Sequence, residues 1–232
     1  MDYHEWEPVY DAILRDFGFD RAADERARDV LAGLTSPFDL ERLAFVSGAR
    51  AVVAGAGPSL ETDVALETAR AAEVVIAAST AVDVLEAAGV EVDCMVTDLD
   101  KNPETVERLT HHETPVVVHA HGDNVPALRT VVPECDRKFV LPTTQAEPAG
   151  PVRNFGGFTD GDRAAFLADH LEAGRLGFVG WDFDDPSVDA VKSKKLAWAE
   201  RLLYWIERRR DETFSVLDGR RDGIDVRALP LE

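Results

Sequence analysis

From residue 50 onward the chain alternates short apolar runs with longer amphipathic stretches, and no other feature constrains its fold as strongly. The runs fall at 51–54, 74–78, 92–96, 116–119, 139–141 and 176–179, and helical stretches near 59–71, 80–88, 103–110, 124–131 and 160–172. A strand that is apolar throughout must be covered on both faces, and parallel strands need crossover helices. The pattern predicts an α/β fold: a mostly parallel, Rossmann-like sheet flanked by helices.

Residues 1–47 read as a separate helical section. Trp6, Val9, Ile13 and Phe17 recur at spacings of three and four, as one face of a helix does, and Gly18 stops it. A second helix is predicted from about Asp20 to Leu31, ended by Gly33, and Ser36-Pro37 opens a short third. The α/β domain spans 48–212 and a polar, weakly patterned tail 213–232. Residues 143–158, rich in Pro, Gly and Thr, interrupt the rhythm as a loop or hairpin over the strand ends. A last long helix is predicted over 188–210. Its stripes Leu196, Ala199, Leu203, Ile206 and Trp198, Leu202, Trp205 suit a core or a homo-oligomer interface.

Charge narrows the partners. The formal net charge is −19, and Lys101, Lys138, Lys192, Lys194 and Lys195 are the only lysines. This resembles the surface of a protein from a halophile, where dense salt screens self-repulsion. It argues against nucleic acid, which needs basic patches. No apolar run is long enough to span a membrane. The acidic start, Met1-Asp2-Tyr3-His4-Glu5, is no signal peptide, so a cytoplasmic chain is expected. Cys94 and Cys135 lack metal-ligand spacing and read as small buried hydrophobes.

Five clusters carry candidate chemistry. In Val96-Thr97-Asp98-Leu99-Asp100 an apolar run ends in two carboxylates. Alternation along a strand points Asp98 and Asp100 to one side, at the edge where α/β sheets bind ligands. Such a pair suits Mg²⁺ carried in with a nucleotide. Gly55-Ala56-Gly57-Pro58-Ser59-Leu60 follows the first strand and can cradle a phosphate at a helix N-terminus, or can simply be a tight turn. It lacks the third glycine of a dinucleotide fingerprint. In His119-Ala120-His121-Gly122-Asp123-Asn124 the histidines share a side, and His121, Asp123 and Asn124 suit hydrogen bonds to a heterocycle or ribose, or a helix cap. Gly156-Gly157-Phe158-Thr159-Asp160-Gly161-Asp162-Arg163 joins flexible glycines to a helix start, with Thr159, Asp160 and Asp162 as polar contacts and Arg163 as a phosphate fork. Asp182, in Gly180-Trp181-Asp182-Phe183, follows the last strand. Beyond it, Lys192-Ser193-Lys194-Lys195 holds three of the five lysines.

Taken in this order, these motifs resemble the archaeal 6-hydroxymethyl-7,8-dihydropterin diphosphokinase family, itself distantly similar to thiamine pyrophosphokinases. The resemblance runs over nearly the whole chain. It implies a thiamine-pyrophosphokinase-like catalytic core and Mg²⁺-dependent transfer of diphosphate from ATP to the pterin's hydroxymethyl group, releasing AMP, in a folate or methanopterin pathway. On that reading Asp98 and Asp100 hold Mg²⁺. Gly55, Gly57, Pro58 and Ser59, or Arg163 with Lys194 and Lys195, hold the phosphates. His121, Asp123, Asn124, Thr159, Asp160, Asp162 and Asp182 are candidates for pterin or ribose. Lys101 stands where the thiamine enzymes carry Ser after the acidic motif, and no general base is evident. Two alternatives draw on these motifs: a metal-dependent sugar-nucleotide glycosyltransferase, which uses the carboxylate pair, and a non-catalytic nucleotide-binding module, which needs the glycine and lysine motifs but not the paired carboxylates.

Overall fold

The computed structural model describes residues 1–231. Its centre is a six-stranded sheet, all parallel, in the order β5-β4-β3-β2-β1-β6. The strands are β1 (Arg50–Ala54), β2 (Val74–Ala78), β3 (Cys94–Thr97), β4 (Val116–Ala120), β5 (Val140–Thr144) and β6 (Arg175–Val179). The chain steps outward from β1 to β5, then returns across the sheet to lay β6 against the free side of β1. The strand order therefore reverses between β1 and β6, and ligands bind outside the carboxyl ends at such a reversal.

Helices cover both faces, as the doubly apolar strands require. They are α1 (Tyr3–Phe17), α2 (Arg21–Leu34), α3 (Asp63–Arg70), α4 (Ala81–Ala87), α5 (Pro103–His111), α6 (Val125–Val131), α7 (Asp160–His170) and α8 (Ala190–Arg210). Alternation divides the strand residues between two cores. Val53, Ile76, Val96, Val117 and Leu141 pack with α1, α7 and α8. Val52, Val75, Met95, Val118 and Val140 pack with α2 through α6. Helix α7 is buried from Asp162 to Ala168 on all sides, because it lies between the sheet and α8. The two stripes of α8 are core: Trp198, Ala199, Leu202, Leu203, Trp205 and Ile206 are all buried. The Trp6 ring stacks on Trp205 at 6.4 Å and meets Phe166 edge-on at 6.0 Å, which fastens α1 to α7 and α8.

Local chemistry departs from the sequence expectation at four places. Gly33 lies inside α2, which runs on to Leu34 and ends where the Thr35 side chain and amide turn back to the Leu31 carbonyl. Ser36-Pro37 starts no helix; a 3₁₀ segment, Leu40–Val46, begins later under an Asp39 cap. The stretch at 59–71 is split into a 3₁₀ turn, Pro58–Glu61, and α3, because the Thr62 side chain caps Ala65 and restarts the helix. The tail buries Phe214, Leu217, Ile224 and Leu229. It is held by Glu207, only 4% exposed, which accepts the Phe214 amide at 2.6 Å and the Arg221 guanidinium at 2.8 Å. Those apolar residues follow no long period because the tail covers β6 with only two short 3₁₀ turns, Ser215–Leu217 and Arg221–Gly223, joined by irregular chain. No helix among the described residues is long and apolar enough to cross a membrane.

Candidate active site

A cleft of 710 Å³ opens at the carboxyl edge of the sheet, reached from all six strand ends and walled by the α1–α2 junction and the start of α8. Asp98 and Asp100 line it, but strand alternation is not what brings them together. Strand β3 ends at Thr97, and Leu99 takes a left-handed φ of 67° with its side chain buried. The turn folds Asp100 back, so that its amide donates to Asp98 Oδ1 at 3.2 Å. Positive φ strains a leucine. The Thr97 hydroxyl, accepting the Leu99 amide at 3.0 Å, helps to fix the turn.

The two carboxylates differ in state. Burial pushes Asp98 up, but the His121 hydrogen bond, the Arg163 charge and contact with Asp100 outweigh it and hold the group well below the usual carboxylate range. Asp100 is raised by burial and then by Asp98, with Lys101 and Lys192 pulling it back. His121 Nε2 stands 3.3 Å from Asp98 Oδ2. Asp160, at the start of α7, is pushed up to about 7 by burial and then by the Asp98 charge, against the pull of Arg163 at 2.9 Å. Among the described residues no three His, Cys, Asp or Glu side chains gather into a metal cage. A pair of carboxylates without such a cage fits Mg²⁺, which takes most of its ligands from phosphate and water. His119 is a core residue: burial first, then the Arg163 and His121 charges, hold it well below its ordinary value, and its Nδ1 lies 3.1 Å from Thr143 Oγ1. Both cysteines are buried and free, their thiols pushed up by burial to about 12 for Cys94 and about 11 for Cys135.

The glycine turn serves a different purpose from the one its motif suggests. The amides of Gly55 and Gly57 donate to the carbonyls of Val179 and Gly180, each at 2.9 Å. The Ser59 amide and hydroxyl donate to Asp182 Oδ2 at 2.9 and 2.8 Å. A carboxylate of the protein already occupies the helix end that a phosphate would need, and Pro58 has no N–H. A Cβ on Gly55 would stand 3.4 Å from the Trp181 ring and overlap the Gly180 carbonyl; one on Gly57 would overlap the Asp182 carboxylate. These glycines let the β1 and β6 loops touch. Gly55 and Gly57 still line the cleft, as does Asp182; Pro58 and Ser59 do not.

Other candidates divide in the same way. Asp123, Thr159, Asp160 and Arg163 face the cleft. Asp162 does not: fully buried, it accepts the amides of Phe158 and Thr159 and the Thr159 hydroxyl, closing the capping box of α7. Asn124 is 6% exposed and spent on backbone, donating to the Asp98 and His119 carbonyls at 2.7 Å each, so it joins the ends of β3 and β4. Lys194 turns outward: its ammonium pairs with Asp16 at 2.8 Å and lies over the Phe17 ring, while Lys192 and Lys195 line the cleft. The cause is helical spacing, since residues three apart share a face and residues one or two apart do not. Lys101 also lines the cleft, so three of the chain's five lysines meet there. Sequence reasoning gave no role to Gln145, Asp24, Trp181 or Phe158, which line the same space. The scarcity of lysine was the one signal that could have promoted Lys101.

A parallel sheet with carboxylates and lysines gathered at the carboxyl edge, beside a strand-order reversal, defines the class of α/β proteins that take phosphorylated small molecules at that edge. Within that class the chain belongs to the 6-hydroxymethylpterin diphosphokinase MptE-like family, whose model matches residues 31–187. It is 40% identical to the 6-hydroxymethyl-7,8-dihydropterin pyrophosphokinase of Methanothermobacter thermautotrophicus, over 91% of this chain and 97% of that protein. Proteins of the same name from Pyrococcus furiosus and Methanocaldococcus jannaschii are 37% and 32% identical, each over 89% of this chain and covered to 95% and 96%. Asp24, Lys192 and Lys195 lie outside the matched segment and still line the cleft.

Proposed function

We propose that this chain transfers diphosphate from ATP to 6-hydroxymethyl-7,8-dihydropterin, with Mg²⁺, giving AMP and the pterin diphosphate. The observation that carries the reading is the meeting of Asp98 and Asp100 with Lys101, Lys192, Lys195 and Arg163 in one cleft of a chain with net charge −19. Such a chain repels a triphosphate everywhere that cations are not concentrated. The cleft volume of 710 Å³ lies within the range of about 300–1,000 Å³ usual for small-molecule sites.

In the reaction the hydroxymethyl oxygen forms a bond to the β-phosphorus, the bond from that phosphorus to the oxygen bridging to the α-phosphate breaks, and the hydroxyl proton is lost. Catalysis of this kind is mainly positioning and charge neutralisation. Asp98 and Asp100 would hold Mg²⁺, which supplies positive charge to the phosphates. His121 and the Asn124 bridge fix Asp98. Arg163, fixed by Asp160, offers a planar fork, and the three lysines offer point charges. Trp181 and Phe158 present ring surface for a pterin, and Asp123, Thr159, Asp160 and Asp182 offer it polar contacts. We read the setting as cytoplasmic and rich in salt, in keeping with the surface charge. The test is AMP release from ATP and Mg²⁺ at high KCl, with and without the pterin. Pterin-dependent AMP is expected; ADP alone, or no product from folded protein, overturns the reading.

A further inference from the structure

One carboxylate outside the matched family segment ties together the two sides of the cleft. Asp24, on α2, is 4% exposed. Its Oδ2 accepts the Tyr10 hydroxyl and the Gln145 side-chain amide, and its Oδ1 the Gly122 backbone N–H, each at 2.7 Å. On one side, Gln145 Oε1 accepts from Arg163 Nη2 at 3.3 Å, and Arg163 Nη1 donates to Asp160 at 2.9 Å. On the other, Gly122 follows His121, which faces Asp98. A Cβ on Gly122 would stand 2.7 Å from the Ala23 Cβ, so this turn is pressed against α2. Arg163 is 7% exposed, and among the described residues its Nε has no partner, so its guanidinium's hydrogen bonds go to Asp160 and Gln145.

We propose that Asp24 is a positioning residue for the transfer: it holds Gln145, and through it the Arg163 fork. The proposal rests on the reading of this cleft as the diphosphate-transfer site. Three donors converge on the Asp24 carboxylate, and its two oxygens accept all of them. Asp24→Asn keeps the volume but turns one oxygen into a donor facing a donor. At least one of Gly122, Tyr10 and Gln145 then loses its acceptor. If Gln145 swings, Arg163 keeps only Asp160 and leaves the phosphates.

Asp24→Asn is expected to lower kcat by about 10–100-fold while leaving KM for the pterin within about 3-fold, because misplacing a positioning group by about 1 Å costs rate of that order. Tyr10→Phe removes a bond of the same length to the same carboxylate from behind the cleft. It is expected to lower Tm and leave kcat within about 2-fold. In an Arg163→Lys background, which has no fork to aim, Asp24→Asn is expected to add less than about 3-fold. Should Asp24→Asn not fold, Gln145→Met cuts the same arm and carries the same expectations. A readout without turnover is hydrogen exchange at the Arg163 Nε–H by ¹⁵N NMR, expected to quicken by about 10-fold or more in Asp24→Asn and not in Tyr10→Phe. Unchanged kcat in Asp24→Asn, a loss that tracks Tm equally in both single variants, full additivity with Arg163→Lys, or unchanged exchange would each overturn the proposal. A wild-type protein with no pterin-dependent AMP release would overturn the functional reading instead, and the exchange measurement would still decide whether Asp24 positions Arg163.

Discussion

Asp160→Asn separates the electrostatics of the cleft from the stability of the fold. The Asp160 side chain is 13% exposed and its carboxyl is pushed from 3.8 up to about 7, by burial first and by Asp98 second. Between these two values the folded protein holds a proton that the unfolded chain has released. The stability this proton contributes is fully present below the unfolded value and is lost as the pH rises through about 7. One unit corresponds to about 1.4 kcal/mol, so a gap of about three units amounts to roughly 4 kcal/mol across the window. Asparagine has the same shape, can still accept from Arg163, and titrates nothing. The stability of Asp160→Asn relative to wild type should therefore climb by up to roughly 4 kcal/mol from about pH 4 to about pH 8, favouring the variant at the upper end. Molar KCl weakens the Asp98 contribution but not the burial, so most of the effect survives salt. Urea unfolding followed by tryptophan fluorescence, at several pH values and constant KCl, measures the difference directly. A difference that does not change with pH would refute the assignment of a raised carboxyl at this position.

Three further outcomes follow from the geometry. Asp98→Asn and Asp100→Asn should each lower pterin-dependent AMP release by about 10²-fold or more, and near-normal turnover in both would remove the metal-holding role. Lys192→Ala and Lys195→Ala should each raise KM for ATP by about 5–10-fold. Lys194→Ala should leave the kinetics unchanged and cost at most about 1 kcal/mol, since its partly exposed pair with Asp16 stabilises little; steady-state kinetics on the three variants separate them. Gly57→Ala, whose Cβ would lie 2.8 Å from the Gly180 carbonyl and against Asp182, should destabilise by about 1–3 kcal/mol, read as a fall in Tm, even without nucleotide. An unchanged Tm would show that the β1–β6 joint has slack.

The sequence by itself determined the sheet, most of its helices, and which edge carries the chemistry. Periods of two and 3.6 are local, and Val74–Ala78 or the alternation of Val116, Val117 and Val118 between two cores can be read without knowing their neighbours. Asp98 and Asp100 were legible because they end an apolar run, although the reason for their convergence was not: a buried Leu99 at positive φ makes the turn, and nothing in the letters marks it. The roles of Gly57, Ser59, Asn124 and Lys194 were decided by partners well removed along the chain or by exact helical phase, whereas Asp162 is spent locally, in a capping box with Thr159 three positions before it. Asp182 reaches Ser59 across 123 positions, and Asp16 takes Lys194 across 178. Only the tertiary structure could bring Asp24 to Gln145 across 121 positions and Lys101 to Lys192 and Lys195 in one cleft. A hydrogen bond or an ion pair depends on distances of a few ångströms, which the folded chain sets and the order of residues does not.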